Sequence, residues 1–376
     1  MKVVFFSSVF NHHSMPFCDA MYRLCKGEFI FVQTMREEAQ RIELGYHSDK
    51  RPYVINMLES EETKNKAAEI AISADIMIAG VFPYEILKAR LKMKKPTFLC
   101  QERMFKGGDS LIKRLRSWWY AFRKYQKYKK WLYLLSIGEG AAEDYRKIGF
   151  FKGKSYKWGY FPQVQFEDEE TLFAKKPKNT VQVLFAGRLI SLKNPQYVLK
   201  AVASLIEQGE NVHLKYIGCG EMLQTLQDLA EELKITDRVD FMGAMPPEKV
   251  AEEMRCANIF AFTSNSLEGW GAVVNEAMGA GCAIIASSSA GSVSTLIRNE
   301  QNGMIYENDN YQDFFKKLSL LVKNKKMAKT FGISAVRTIK EEYNAEIAAM
   351  RFLHICEMIL NGEEIQPYKE GLMSLL

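Results

Sequence analysis

Short apolar runs alternate with stretches of helical period along most of the chain. In the first half, residues 2–6, 29–33, 53–56, 75–79, 97–101 and 132–137 read as strands rich in Val, Ile, Phe and Leu. Residues 15–26, 62–73, 84–92, 110–131 and 140–148 read as helices between them. In the second half, strands are predicted at 181–186, 212–217, 239–242, 258–263, 283–286 and 304–307. Helices are predicted from Asn194-Pro195 and over 221–233, 247–255, 272–279, 293–298 and 311–342, with Asn194 as N-cap and Pro195 at the first helical position. Strands that are apolar throughout, rather than alternating, are buried on both faces, which means parallel sheets flanked by helices. The fold class is therefore α/β, with two Rossmann-like, doubly wound domains facing a cleft. Residues 159–180 break the pattern with two prolines and mixed charge. The expected organisation is a first domain over 1–160, a linker over 161–180, a second domain over 181–343 and a final helical segment over 344–376.

Composition changes this picture little. Apolar residues make 47% of 376 and charged residues 26%, ordinary values for a globular protein. No apolar run approaches the roughly 18 residues of a membrane span. Residues 3–10 are apolar apart from Ser7 and Ser8, but the next stretch, NHHSMPFCD, lacks a small-x-small cleavage site, so a first strand is the reading rather than a secretory leader. Seven cysteines are scattered without a Cys-x-x-Cys pair, which points away from a disulfide framework or structural zinc and towards a reducing cytoplasm. Charge matters more. The chain has 51 Lys and Arg against 45 Asp and Glu, but residues 103–130 hold ten basic residues and one acid, leaving 41 against 44 elsewhere. The formal net charge of +6 thus comes from one basic segment, and the rest of the chain is mildly acidic.

Three stretches carry chemistry, each just after a predicted strand, where doubly wound sheets bind ligands. In FAGRLISLKN, Gly187 ends a strand and Arg188 and Lys193 lie on the loop entering a helix. Two cations beside a helix N-terminus suit a diphosphate, Arg through a bidentate fork and Lys as a point charge. The plain alternative is a basic loop. In YIGCGE, Gly218 and Gly220 allow close approach to the backbone by a ligand or simply a tight turn. In SLEGWGAVVNEAMGAG, Glu268 lies on a loop and Glu276 eight residues on, in the second turn of a helix starting near Gly271. Both carboxylates can face the cleft and accept hydrogen bonds from hydroxyl pairs. Gly269 and Gly271 flank Trp270 and leave backbone NH groups open to an anion.

The order Gly187-Arg188-Leu189, Lys193, the Gly-x-Gly-Glu turn, Glu268 to Glu276, GCAIIAS and NGMIYENDN resembles the retaining glycosyltransferases of family 4. The resemblance covers roughly residues 180–345. It implies the GT-B fold, donor nucleotide sugar on the second domain, acceptor on the first, and a C-terminal helix crossing back. Carried over to this chain, it places Arg188 and Lys193 on the donor diphosphate, Glu276 on the ribose hydroxyls and Glu268 on the donor sugar. The backbone of Gly269, Trp270 and Gly271 approaches sugar and phosphate, and the base lies near Gly218 and the loop at Met242–Gly243. It also implies retention by front-face attack, with Arg188 and Lys193 stabilising the leaving diphosphate.

The first half departs from the family pattern. Its first loop is SSVFNHHSMPF, not glycine-rich, and the strand at 97–101 leads into Glu102 and Arg103 where many relatives place a histidine. His12 or His13 is the candidate to face the acceptor as base or orienting group, His13 preferred; a capping role for one of them is the alternative. No Asp-x-Asp motif occurs, which together with the family implies transfer without a metal or other cofactor.

In the basic segment, Leu111, Leu115, Trp118, Trp119 and Phe122 mark one helical face, with Lys113, Arg114, Arg116, Arg123, Lys124 and Lys127 around it. Cations with interleaved Trp and Tyr suit an anionic membrane surface or a lipid-linked acceptor. A solvated basic face over a buried aromatic one is the alternative, with a nucleic-acid surface the weakest reading. The sequence thus points to a cytoplasmic, membrane-peripheral, retaining hexosyltransferase. It would use a UDP- or GDP-linked sugar and a lipid-linked or growing glycan in cell-surface polysaccharide assembly, and no nucleic acid. The rivals are another GT-B enzyme, such as a sugar-nucleotide epimerase or a phosphorylase, and a non-catalytic nucleotide-sugar or nucleic-acid binder.

Overall fold

The computed structural model describes residues 1–37 and 50–376. The chain divides into two compact units, Met1–Gln163 with Tyr343–Leu376, and Val164–Glu342.

The first unit holds strands β1 (Val3–Ser7), β2 (Phe29–Gln33), β3 (Val54–Asn56), β4 (Ile76–Ala79), β5 (Thr97–Gln101), β6 (Leu132–Ile137) and β7 (Ser155–Trp158). They form one parallel sheet in the order β3-β2-β1-β4-β5-β6-β7. The direction of winding reverses between β1 and β4, so the loop after β1 opens at a topological switch point. β7 is unexpected from the sequence, since Ser-Tyr-Lys-Trp is short and half polar. Its pairing with β6 on one side and the chain end on the other explains it. Leu376 NH donates to Ser155 O at 2.9 Å, and Lys157 NH to Ser374 O at 2.9 Å. The helix Ala345–Asn361 belongs to this unit and packs against the helix Met15–Leu24, with Arg23 and Glu346 ion-paired between them. Asn344 caps its start and Gly362, at φ 73°, ends it.

The second unit holds β8 (Val181–Ala186), β9 (Val212–Ile217), β10 (Val239–Phe241), β11 (Ile259–Phe262), β12 (Ala283–Ser287) and β13 (Met304–Tyr306), parallel in the order β10-β9-β8-β11-β12-β13. Its switch point lies between β8 and β11. The core is built from the continuous apolar strands, with Val183, Leu214, Ile259 and Ile285 fully buried, each contributing roughly 1.5–3 kcal/mol. Residues 164–180, read from sequence as linker, lie within this unit. They carry the helix Glu169–Ala174 and the buried Lys176.

Candidate functional site

The loops that leave β8, β9 and β11 at their carboxyl ends are stitched to one another by backbone. Gly187 NH donates to Ile217 O, Leu189 NH to Cys219 O and Met222 NH to Leu189 O, each at 2.9 Å. Gly218 NH donates to Gly243 O at 2.7 Å, which brings the turn after β9 against the loop at Met242–Gly243. The turn at 218–220 lies so close to its neighbour that a β-carbon on Gly218 would stand 2.0 Å from Gly187 O, and one on Gly220 2.3 Å from Leu189 O. Both glycines have positive φ, 132° and 159°. Their requirement is therefore set by this chain's own backbone, and of the two sequence-based readings it is the tight turn that the geometry supports. The diversion of Met222 onto Leu189 also delays the next helix to Leu223–Glu232.

Beyond Gly187, Arg188 is exposed, and its guanidinium makes no hydrogen bond or ion pair with the described residues. The chain then makes a short 3-10 turn over Ser191–Lys193. Asn194 precedes the helix Pro195–Glu207, but its side chain does not cap it. The residue is left-handed at φ 45°, a conformation asparagine tolerates, and its amide donates to Thr263 O at 3.3 Å. Thr263 Oγ1 donates to Lys193 O at 2.6 Å and Asn265 NH to Leu192 O at 2.8 Å. The loops after β8 and β11 are thus one rigid body.

That body places Lys193 against Glu268. The ammonium and the carboxylate are ion-paired, and each side chain is 15% exposed. Burial pushes the Glu268 carboxyl up, but the Lys193 charge and hydrogen bond outweigh it, and the group titrates below its ordinary value. Ser264, buried at the end of β11 and missed in the sequence, leaves its hydroxyl without a hydrogen bond of good geometry close to that carboxylate. Ser287, Ser289 and Asn308 form a further hydroxyl-rich edge, with Ser289 Oγ donating to Ser264 O at 3.0 Å. The only sequence signal for these was a serine run directly after an apolar strand.

Trp270 is a core residue, 1% exposed, with its indole NH on Asn275 Oδ1 at 2.8 Å. Gly271 is at φ 82°, and a β-carbon there would stand 2.6 Å from the Phe262 ring. Packing thus fixes the Gly269-Trp270-Gly271 turn: Gly291 NH donates to Gly269 O and Ser292 NH to Trp270 O. The following helix is Val273–Gly279, so Glu276 falls in its first turn and not its second. Burial pushes the Glu276 carboxyl up to about 7.

In the first unit, His12 and His13 lie on the loop between β1 and the helix Met15–Leu24. Their rings meet edge-on at 3.9 Å, and Asn11 Oδ1 accepts the His13 NH at 3.0 Å. The His13 ring is 6.4 Å from that of Tyr160, whose hydroxyl donates to Glu102 at 3.1 Å. Tyr160 was not anticipated.

The basic segment is an α-helix only over Leu111–Tyr125, continuing as a 3-10 turn over Gln126–Trp131. Only Ala121 and Tyr125 are buried in it. Leu111 and Ile112 are each 71% exposed, and Leu115, Trp118, Trp119, Tyr120 and Phe122 are exposed too, so a buried aromatic face is ruled out for this helix. Trp118 stacks on Phe122 at 5.2 Å and Arg123 lies 4.4 Å over Trp119. Lys113 donates to Gly108 O at 2.9 Å, Arg114 pairs with Asp109, and Lys124 lies 3.5 Å over the Tyr84 ring. Arg116 and Lys127 have no carboxylate partner among the described residues. Among the described residues no helix is long and apolar enough to cross a membrane.

Because Gly218 has no room for a side chain, Gly218→Ala should lower unfolding free energy by about 2–4 kcal/mol in urea denaturation. Gly209→Ala, at φ 83° with open space around it, should cost about 1 kcal/mol. Equal losses would mean that the close approach is absent in solution.

Residues 167–337 match the family described as Glycosyl transferases group 1. An uncharacterized glycosyltransferase of Methanocaldococcus jannaschii is 25% identical over 239 residues, 62% of this chain and 60% of that protein. The D-inositol 3-phosphate glycosyltransferase of Nocardia farcinica is 30% identical over 187 residues, 48% of this chain and 39% of that one. The chain thus spans about two fifths to three fifths of the length of these relatives. Among solved structures, Anabaena HepE in complex with UDP superposes with TM-score 0.66 at 13% identity, covering 96% of this chain and 99% of that one. The apo lipopolysaccharide outer core galactosyltransferase WaaB gives TM-score 0.66 at 18% identity, covering 96% and 100%. The chain has the GT-B fold of glycosyltransferase structures, and its second unit is similar to the group 1 glycosyl transferases across residues 167–337.

Proposed function

We propose that this protein is a retaining, metal-independent glycosyltransferase that moves a hexosyl group from a nucleotide-diphosphate sugar to a lipid-linked or growing glycan in cell-surface polysaccharide assembly. The observation that carries this reading is that Arg188 and the Lys193–Glu268 pair lie on loops at the carboxyl ends of one parallel sheet, with Glu276 in the first turn of the helix that follows the second of those loops. The match to the group 1 family and the superposed structure holding UDP support it.

In this reading the donor diphosphate lies against Arg188 and Lys193. Arg188 has a guanidinium to offer, while Lys193 arrives already oriented by Glu268. Glu268, held as a carboxylate by Lys193, accepts hydroxyls of the donor sugar, and Glu276 accepts those of the ribose. The acceptor oxygen attacks the anomeric carbon from the face that the diphosphate leaves. The carbon–oxygen bond to the diphosphate breaks as the new glycosidic bond forms, and the departing phosphate oxygen takes the acceptor proton. Charge grows on that phosphate, so the two cations act most strongly in the transition state. His13 is assigned to the acceptor side of the reaction.

The helix Leu111–Tyr125 is assigned to an anionic membrane surface. Its apolar residues Leu111, Ile112, Leu115, Trp118, Trp119 and Phe122 are exposed, and its cations supply attraction of roughly 1 kcal/mol each near anionic lipid. Trp118 and Trp119 suit the boundary, with apolar rings and a polar edge.

Glu276→Ala should weaken nucleotide binding by about 1–3 kcal/mol, the cost of leaving buried hydroxyls unpaired. A carboxyl titrating near 7 is an anion above that pH and an acid below it, so affinity should fall as pH drops from about 8 to 6. The slope should flatten in Glu276→Gln. Calorimetry giving parent and Glu276→Ala the same affinity would remove Glu276 from the site.

Lys193→Ala and Arg188→Ala should each reduce kcat by about 10²–10³-fold and change donor affinity less, and turnover should survive excess chelator. Activity abolished by EDTA and restored by Mg²⁺ or Mn²⁺ would overturn the metal-free mechanism.

The parent should co-sediment with phosphatidylglycerol vesicles at low salt and be released by added salt. Replacing Lys113, Arg116, Arg123 and Lys127 by Glu should abolish sedimentation and leave nucleotide binding intact. A parent protein that stays in the supernatant at low salt would make the helix an ordinary surface element.

A further inference from the structure

A second basic site lies at the opposite end of the second unit's sheet. Val181 opens β8, and Asn258 directly precedes β11. Between them and the helices Tyr311–Lys323 and Lys325–Arg337 is a cavity of about 280 Å³. Six residues of β8 separate this end of the strand from Gly187, a span of roughly 20 Å. The cavity is therefore distinct from the proposed donor site.

Its lining is divided by chemistry. Phe173, Val181 and Leu321 supply apolar surface, and Lys176, Lys178, Lys325 and Lys329 supply four cations with no carboxylate among them. None of the four is ion-paired among the described residues. Other lysines of the same unit do have carboxylate partners, among them Lys175 with Glu167, Lys215 with Glu253 and Lys317 with Asp313. Lys176 is 6% exposed, and among the described residues its ammonium is held by carbonyls, Ala257 O at 2.5 Å and Ala280 O at 3.1 Å, with the Phe173 ring 5.6 Å away. The Lys329 ammonium stands 5.4 Å from the same ring. Lys325 donates to Lys178 O at 3.0 Å, which ties the first turn of its helix to the segment that carries Lys178.

The placement is electrostatically costly as it stands. Lys325 and Lys326 open a 13-residue helix that has no acid in its first turn, so cations sit at the end where the helix dipole favours anions. The ammonium groups of the exposed Lys178, Lys325 and Lys329 add a repulsion that solvent screens in part, and burial removes the water that would screen Lys176. One guest relieves all three costs: an anion with an apolar body, its charge against the lysines and the first turn, its body against Phe173, Val181 and Leu321. The volume, at the low end for small-molecule pockets, limits that guest to the size of a small organic phosphate.

We propose that this cavity is a second ligand site, specific for a small organic phosphate and separate from the site at the carboxyl ends of the strands.

Calorimetric titration with phenyl phosphate, inorganic phosphate and phenol tests this. Phenyl phosphate should bind about tenfold or more tightly than either part alone. The exposed pair Lys178→Glu/Lys329→Glu should weaken it at least about tenfold, and Lys178→Gln/Lys329→Gln should weaken it less, which guards against a folding defect. Arg188→Ala should leave it unchanged. No binding of phenyl phosphate at about 10 mM, equal affinity in parent and both double variants, or loss of binding in Arg188→Ala would each overturn the proposal, the last by assigning the anion to the donor site. The outcome does not depend on sugar transfer, so failure here and failure of the proposed activity are distinguishable.

Discussion

The ion pair between Lys193 and Glu268 organises the carboxyl end of the second unit's sheet. Each side chain is 15% exposed, so neither charge is well hydrated, and removing either one would leave the other poorly compensated. The pair lies beside further bonds between the loops after β8 and β11, made through Thr263, Asn194 and Asn265. Those loops in turn rest on the turn at Gly218–Gly220, where backbone meets backbone with no room for a side chain. A mobile lysine on an exposed loop would have to lose its rotamer freedom when an anion arrived. Here that cost is met in folding, and the ammonium is presented in a fixed place.

Charge in this site is graded. Arg188 is exposed with an uncommitted guanidinium, Lys193 is committed to one carboxylate, and Glu276 is buried enough to titrate near 7. A diphosphate entering such a site meets a cation able to adjust and a cation that cannot. The second is what matters for a reaction in which negative charge grows on a leaving group, since preorganised charge does not have to reorient as the bond breaks.

Much of the architecture was legible because strands buried on both faces leave a plain mark. The spans 97–101, 132–137 and 181–186 follow from largely apolar runs and 212–217 from an alternating one, and the sheets they form are the expected parallel ones. What was not legible depended on partners distant in sequence. β7 exists because the chain end pairs with it. Asn194 reads as a cap from its position before Pro195, but tertiary contact turns its amide to Thr263. Gly218 reads equally as an opening for a ligand or as a tight turn, and Gly271 as an opening for an anion; that a side chain at either would meet Gly187 O or the Phe262 ring is visible only in the fold. Sequence spacing placed Arg188, Lys193, Glu268 and Glu276 after the right strands; that Lys193 and Glu268 bind each other, and that Ser264 and Ser289 share their edge, required coordinates. Helical period marked the apolar stripe of Leu111–Tyr125, yet period cannot say whether a stripe faces a core or solvent. In the structure it faces solvent.

The central claim is that the site built on Lys193 and Glu268 holds a nucleotide-diphosphate sugar. A thermal-shift screen of the intact protein against UDP-, GDP-, ADP- and CMP-sugars tests it most directly. At least one diphosphate-linked sugar should raise the Tm of the parent, a CMP-sugar should not, and the shift should vanish in the Arg188→Ala/Lys193→Ala double variant. A Tm unmoved by every sugar, or a shift that survives in the double variant, would contradict the account.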